Sequence, residues 1–433
     1  MAADDTIFAL SSGALPAAVG VIRISGSHTA LALSALAGAL PVPRRASLRR
    51  LVDSRDAGEL DRALVLWFPA PHSATGEDCG ELHLHGGRAV ARAVESALVG
   101  LGLRKAEPGE FTRRAFAHGR LDLAQVEGLA DVLAAETELQ RRSAQAIAGG
   151  QLSRACHDWR VRLLGLSAAC EATLDFADEG DVSDDDHGAA AALSAGCRAL
   201  AGELGQWLDR PRAEPLREGF RVVLAGPPNA GKSTLFNALV EHDAAITASE
   251  PGTTRDVLVS AVALQGVPFS FIDTAGLRDD GAGDVEAIGI ARARVEAQSA
   301  DLVLWLGPEG QGPRCRQLWE IAAQCDRSGW SAKAPGSMRL SAVTGEGIDA
   351  LRHALIATAR AALPSPGMAA LNRRQAECLE STRDALVAAS GERDPLLVGE
   401  GLRLARRGLD RLVGSTDTEA MLDALFGRFC IGK

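Results

Sequence analysis

The stretch from Arg221 to Leu239 constrains the fold more than any other part of the chain. Arg221-Val222-Val223-Leu224-Ala225 reads as an apolar strand, Gly226-Pro227-Pro228-Asn229-Ala230-Gly231-Lys232-Ser233 spells GxxxxGKS, and Thr234-Leu235-Phe236-Asn237-Ala238-Leu239 continues as a helix. Strand, glycine loop and helix in that order make a phosphate cradle. Glycines let backbone N–H groups curl around phosphate oxygens, and the helix N-terminus adds positive potential. Lys232 then reaches the terminal phosphates, the Ser233 hydroxyl offers a ligand to Mg²⁺, and Asn229, Ala230, Gly231 and Thr234 complete the lining. The surrounding domain is expected to be α/β.

A second element narrows the chemistry. Phe269-Ser270-Phe271-Ile272 is an apolar strand that runs into Asp273-Thr274-Ala275-Gly276, which places a carboxylate beside the magnesium shell and a glycine N–H where it senses a γ-phosphate. Between the two elements, Gly252-Thr253-Thr254-Arg255-Asp256 supplies a switch threonine, with Thr254 as a second Mg²⁺ ligand. The combination reads as a GTP-hydrolysing P-loop domain. Leu277 follows the DTAG glycine, so the water-orienting Gln of Ras-like enzymes is absent. No arginine finger is assignable either. Such a finger is worth about 10³–10⁵ in rate, so the charge must come from a monovalent cation or a partner surface. The base-recognition motif, normally Asn-Lys-x-Asp, is reduced to Ala323-Gln324-Cys325-Asp326. Asp326 is read as either the guanine reader or an ordinary surface aspartate, and Ser341-Ala342-Val343-Thr344-Gly345 as backbone donors for the guanine carbonyl.

The length of 433 residues implies about three domains. Acidic residues outnumber basic ones by 56 to 46, a net charge of −10, so no global positive field draws the chain to nucleic acid. Eight scattered cysteines without a CxxC fit thiols in a reducing compartment. An acidic N-terminus argues against a signal peptide, and the uncharged stretch Ile24 to Pro43 is broken by Ser, Gly, His and Pro, so the chain reads as soluble and cytoplasmic, with no membrane partner. Residues up to about 118 alternate short β-like runs with one helical run; Leu121 to about Phe176 is helical. The acidic run Asp178 to Asp186 is read as a solvated connection rather than a metal loop, since EF-hand spacing is missing. Pro211 and Pro215 punctuate the chain before the P-loop segment and Pro364-Ser365-Pro366-Gly367 after it. The resulting division is 1–118, an α+β domain; 119–215 and 364–433, two parts of an all-α domain; and 216–363, an inserted α/β P-loop domain.

Glu81-Leu82-His83-Leu84-His85 alternates strictly, so Glu81, His83 and His85 share one strand face, as metal ligands, pocket-lining groups or solvated residues. Asp5-Thr6-Ile7, Gly20 to Gly26, Thr75-Gly76-Glu77-Asp78, His85-Gly86-Gly87, Pro108 to Phe116, Leu121 to Gln125 and the terminal Phe429-Cys430-Ile431-Gly432-Lys433 together resemble the tRNA modification GTPase family MnmE, also called TrmE. The resemblance runs from the first ten residues to the last five.

It implies a folate-binding N-terminal domain that also dimerises, a helical domain built from both sides of the insertion, and a GTPase domain. It further implies a homodimer that joins a flavoprotein subunit of the MnmG/GidA type as a heterotetramer. Together they install an aminomethyl or carboxymethylaminomethyl group on carbon 5 of the wobble uridine in tRNA. A tetrahydrofolate derivative, 5-formyl or methylene, is the one-carbon source, and FAD belongs to the partner. By motif position Arg23, Glu81, Arg120 and Lys433 correspond to folate contacts, with Arg120 where the family usually has Lys. Ala248, Ser249, Glu250, Pro251, Gly252, Thr253 and Thr254, with Asp273, Thr274, Ala275 and Gly276, correspond to GTP contacts. Asn229, Ala248, Glu250 and Thr253 correspond to a K⁺ site that stands in for the finger and supports G-domain dimerisation. Glu286 corresponds to the residue that orients the attacking water, so Glu286, Lys232 and Asn229 form the expected catalytic set. Cys430 matches a family cysteine, either a nucleophile or a plain buried thiol. A regulatory GTP switch in ribosome assembly is the alternative function. The folate positions and the CIGK tail discriminate between the two, because a pure switch needs neither.

Overall fold

The computed structural model describes residues 5–177, 184–240, 258–273, 295–328, 330–333, 336–415, 419–427, 429 and 431–432. The chain forms two compact units, Met1–Ala130 with Asp410–Lys433, and Asp131–Leu409. Together they contain an α+β sheet domain, a helical domain and an α/β P-loop domain.

The first unit is built on one six-stranded sheet in the order β3-β4-β5-β2-β1-β6. Its strands are β1 Ile7–Leu10, β2 Val19–Ser25, β3 Ser47–Val52, β4 Glu59–Phe68, β5 Cys79–His85 and β6 Arg104–Lys105. Only the β1–β6 pair is parallel. Period-two alternation decides which face is covered. Ile22 and Ile24 of β2 and Leu82 and Leu84 of β5 are buried against α1, Thr29–Ala37, and α2, Arg88–Gly100, through Leu33, Leu36, Val94 and Leu98. Arg23, Glu81 and His83 therefore project from the other face. Two short helices follow, α3 Glu110–Ala117 and α4 Leu123–Ala134. The latter starts on a reciprocal cap in which the Gln125 N–H donates to Asp122 Oδ1 and the Asp122 N–H to Gln125 Oε1, at 2.8 and 3.0 Å.

Arg114 of α3 is 2% exposed and holds three carboxylates together. Its Nη2 donates to Asp5 Oδ1 at 2.7 Å and Glu110 Oε1 at 3.0 Å, and its Nη1 to Glu77 Oε2 at 3.1 Å and the Asp5 carbonyl at 3.0 Å. Arg104 adds a second guanidinium to Asp5 and Glu110. Burial pushes the Asp5 and Glu110 carboxyls up, but the hydrogen bonds and charges of Arg104 and Arg114 outweigh it and hold both below their ordinary values.

In the second unit the helical part comprises α5 Glu138–Ala148, α6 Gln151–Ala177, α7 Asp184–Leu208, α11 Arg373–Gly391 and most of α12 Pro395–Val413. Trp159 and Trp207 lock α6 to α7 edge to face, with ring centroids 5.7 Å apart. Where the sequence shows a proline-punctuated linker, the chain makes a one-turn helix, α8 Glu214–Glu218, with Pro215 in its first turn. Proline suits that position, since its missing N–H would find no partner there.

The α/β part is a sheet in the order β12-β11-β10-β7-β9-β8. The strands are β7 Phe220–Ala225, β8 Leu258–Leu264, β9 Val267–Asp273, β10 Leu302–Trp305, β11 Leu318–Ala322 and β12 Met338–Arg339. All pairs are parallel except β8–β9. Helices α9, Lys232–Val240, and α10, Ile348–Ala362, cover one face. Parallel neighbours usually need a crossover helix. Here residues 306–317 join β10 to β11 without one, and none occurs among the described residues of 323–337 between β11 and β12. The Lys333 ammonium instead braces the gap, donating to Glu320 Oε2 at 2.7 Å and the Trp305 carbonyl at 3.2 Å. The core beneath α9 and α10 contains Phe269, Phe271, Leu235 and Leu355, and also Leu139 of α5. The Leu139 N–H donates to the Gly266 carbonyl in the β8–β9 turn at 3.4 Å, and Gln140 Nε2 donates to the Leu216 carbonyl at 3.0 Å.

Candidate functional site

Strand order reverses at β7, which has β9 on one side and β10 on the other. The crevice at the carboxyl end of such a strand is where open α/β sheets take ligands. Gly226 to Gly231 occupy that position, and Gly226 at φ +155° and Gly231 at φ +91° adopt backbone that favours glycine. A Cβ on Gly226 would sit 3.2 Å from Leu306 and Gly307. Lys232, the first residue of α9, is 7% exposed, and its ammonium donates to the Gly226 and Pro227 carbonyls at 2.9 Å each. The Ser233 hydroxyl donates to Asp273 Oδ2 at 2.7 Å, so the residues expected to share one magnesium shell are already in contact. Asp273 is 2% exposed at the end of β9.

The loop with Ala323–Asp326, expected from the sequence to read the base, follows β11. The Ser341 hydroxyl and the loop's own backbone outweigh slight burial and hold the exposed Asp326 carboxyl below the ordinary range. Ser341 is fully buried; its Oγ accepts from the Thr344 N–H at 3.1 Å, while Ala342 packs on the core and Val343 is exposed. Asp326 and the Ser341–Val343 turn thus meet. The sequence shows Gln324 only as a lost motif residue, yet its Nε2 donates to the Asn229 carbonyl at 3.0 Å and ties this loop to the phosphate loop. Thr254, Ala248, Ser249, Glu250, Pro251, Gly252, Thr253, Thr274, Ala275, Gly276 and Glu286 lie outside the described residues.

In the first unit Arg23 and Glu81 are cross-strand partners in β2 and β5. Arg23 donates through Nε and Nη2 to Glu81 Oε1 at 3.2 and 3.0 Å, and His83 Nε2 lies 3.1 Å from Glu81 Oε2. Burial pushes the Glu81 carboxyl up, and its bonds to His83 and Arg23 bring it down by more, leaving it an ionised acceptor. The Arg23 guanidinium also stands 6.0 Å from the Phe111 ring centroid. His85 turns away to Asp61, Nδ1 to Oδ1 at 2.7 Å, so the strand face divides into two pairs. No group of three metal-ligating side chains occurs among the described residues. Arg120 is exposed, its stem near the turn at Gly76. Lys433 and Cys430 lie outside the described residues, but Ile431 bridges to Pro108 and Gly432 lies close to Leu10 and Ser11. Gly432 thus lies beside the end of β1, the strand whose Ala9 pairs with Arg23.

Two family models match the chain: the GTP-binding protein TrmE N-terminus over residues 6–120 and the MnmE helical domain over residues 123–430. The tRNA modification GTPase MnmE of Novosphingobium aromaticivorans is 66% identical over 99% of this chain and 100% of its own length. The chain belongs to the MnmE family. Proteins of the same name from Erythrobacter litoralis and Sphingopyxis alaskensis are 57% and 54% identical, over 99% and 95% of this chain and all of theirs. Within this MnmE-family chain, two arrangements escaped sequence reading. The Gln324 contact carries no motif, and the buried Arg114 cluster joins Asp5, Glu77 and Glu110 from separate segments. Only the four-residue spacing of Glu110 and Arg114 on a helix could have signalled part of the latter.

Proposed function

We propose that this chain hydrolyses GTP as a component of the system that installs an aminomethyl or carboxymethylaminomethyl group on carbon 5 of the tRNA wobble uridine. The observation that carries the reading is the Ser233–Asp273 contact at 2.7 Å beside Lys232, in a chain of the MnmE family. Residues 216–363 act as the GTPase domain, 1–118 as the folate-binding and dimerisation domain, and 119–215 with 364–433 as the helical domain. Lys232 binds the terminal phosphates, Asp326 reads the guanine edge, and Glu286 orients the attacking water.

A hydroxyl beside a carboxylate is a hard-oxygen set that suits Mg²⁺, held by Ser233 and Thr254. Bound there, the ion neutralises charge on the β- and γ-phosphate oxygens. Asn229 offers a side-chain oxygen at the exposed loop tip, and with Ala248, Glu250 and Thr253 it would hold K⁺ where a finger's charge is needed, promoting G-domain dimerisation. Glu81, ionised and half-buried, suits a pterin's donor edge, and Arg23, Arg120 and Lys433 suit folate's carboxylates. The proposed one-carbon donor is a tetrahydrofolate derivative, 5-formyl or methylene. The chain works as a cytoplasmic homodimer with a flavoprotein of the MnmG/GidA type, in a heterotetramer where FAD stays in the partner. With a net charge of −10 it leaves much of the phosphate contact with tRNA to that partner. No helix among the described residues is long and apolar enough to cross a membrane.

Mass spectrometry of tRNA nucleosides from a deletion strain tests the function. The modified wobble uridine should vanish and return with the wild-type gene but not with Lys232→Ala; unchanged nucleosides in the deletion strain would refute the assignment. For the cation, Asn229→Ala should keep nucleotide binding and lose the stimulation of hydrolysis by KCl over NaCl. Equal stimulation in wild type and variant removes Asn229 from the K⁺ site.

A further inference from the structure

Three loops that serve one ligand must be held in register by something other than the ligand. Ala230 of the phosphate loop, Ala323 of the base-reading loop and Ala342 of the turn after β12 all pack against the same core cluster, which sets their bases side by side. Above that apolar floor one polar link crosses between the first two, from Gln324 Nε2 to the Asn229 carbonyl at 3.0 Å. The Gln324 side chain also lies beside the phosphate-loop backbone, its amide nitrogen 3.1 Å from where a Cβ on Gly231 would stand. Both residues joined by the bond have left-handed backbone, Asn229 at φ +61° and Gln324 at φ +58°. Such a conformation is unfavourable for a residue with a Cβ, so each needs support from its surroundings.

We infer that Gln324 is a positioning residue that sets the phosphate loop from the base-reading side, its amide donor fixing the Asn229–Ala230 peptide plane. The inference rests on the GTP-binding reading above. Carbonyl and N–H of a planar trans peptide point in opposite directions. Anchoring the Asn229 carbonyl on Gln324 therefore turns the Ala230 N–H inward, where it meets the Pro227 carbonyl at 3.4 Å. The same anchor sets the direction in which the Asn229 side chain leaves the loop tip. Because Gln324 stands two residues before Asp326, this bond couples a shift of the base-reading loop to the phosphate loop, in addition to the core the two loops share.

Affinity for a fluorescent GDP analogue in sodium buffer, where no potassium contributes, tests the assignment on the full chain with wild type, Gln324→Ala, Gln324→Glu, Gln324→Lys and Gln324→Met. Removing one neutral hydrogen bond should weaken binding about threefold to tenfold in Gln324→Ala. Gln324→Glu keeps the shape but sets a carboxylate against the Asn229 carbonyl, and should lose more than Gln324→Ala. Gln324→Lys keeps a donor and should stay within about threefold of wild type. Glu and Lys also change the charge beside the phosphates, so the neutral, donor-free Gln324→Met decides even if the Ala variant fails to fold: loss of the bond weakens it about as much as Gln324→Ala, whereas a packing role leaves it near wild type. Binding by Gln324→Met within twofold of wild type overturns this inference alone. A wild type that binds no guanine nucleotide overturns the nucleotide reading and this inference with it.

Discussion

Arg114→Met is expected to destabilise the first unit by about 3–5 kcal/mol, the usual cost of removing one partner from a buried ion network. The side chain is 2% exposed and its two terminal nitrogens serve Asp5, Glu77 and Glu110. Methionine fills much of the volume but leaves Glu77 and Glu110 turned toward a site with no cation of its own. Arg104 still reaches Glu110, so the loss falls most heavily on Glu77. Arg114→Lys keeps the charge without the fork and should fall between the two. Since the chain has two units, a single melting curve is ambiguous. Hydrogen exchange at Ile7–Leu10 and Val19–Ser25 reads the first unit alone, and unchanged protection in Arg114→Met would show that the network contributes nothing. The acid response follows with a fixed sign. Asp5 and Glu110 titrate below their ordinary values of 3.8 and 4.5 when folded. Their stabilising effect is therefore complete above those values and is lost as pH falls through the folded ones. Protection of β1 should decline below about pH 4.5 in wild type, and less steeply in Arg114→Met.

Asp326→Asn is expected to weaken GTP by about 10- to 150-fold, because a hydrogen bond to a charged group is worth about 1.5–3 kcal/mol. Guanine presents two N–H donors to a carboxylate. The asparagine amide accepts one of them and sets its own NH₂ against the other. Xanthosine triphosphate carries a carbonyl where guanine carries the amino group, so it should gain as GTP loses. Competition of GTP, ATP and xanthosine triphosphate against a labelled GTP analogue measures all three. Equal GTP affinity in wild type and Asp326→Asn would place base recognition elsewhere. The Ser341 hydroxyl, which lowers the Asp326 carboxyl from its ordinary value, ties that carboxylate to the turn after β12.

The parts of this site that follow from local chain chemistry were legible in the sequence. Gly226, Gly231, Lys232 and Ser233 declare a strand, a tight loop and a helix start because few other residue types tolerate that backbone or that ligand. Asp273 was legible only in combination, because Asp273-Thr274-Ala275-Gly276 alone is a weak signal and gains meaning from its distance to the phosphate loop and the threonines between them. Pairings between distant segments were not legible. The alternation of Glu81, His83 and His85 puts all three on one face, yet it cannot show that Asp61 from the neighbouring strand draws His85 away from Glu81. Nor does composition show that β10, β11 and β12 lie side by side with no crossover helix among the described residues between them. Periodicity marks helices that exist, and a missing one leaves only loop-like sequence. In the reduced motif Ala323–Asp326, Gln324 carries no signal of its own, yet its side-chain amide reaches the phosphate loop.

Leu139 has a consequence for how the second unit comes apart. Sequence punctuation would cut the P-loop domain at residues 216 and 363, but the core that this cut isolates would lack a side chain that α5 supplies. Excising 216–363 would remove a leucine from this core, at a cost of about 2–5 kcal/mol by analogy with large-to-small core substitutions, and would strip the Gly266 carbonyl of the Leu139 N–H. The smallest piece that folds with the native stability of this α/β sheet therefore begins upstream of Thr137, whose side chain caps α5. Because Leu139 of α5 belongs to the core of the α/β sheet, loss of α5 is expected to lower the stability of that sheet as well as of the helices.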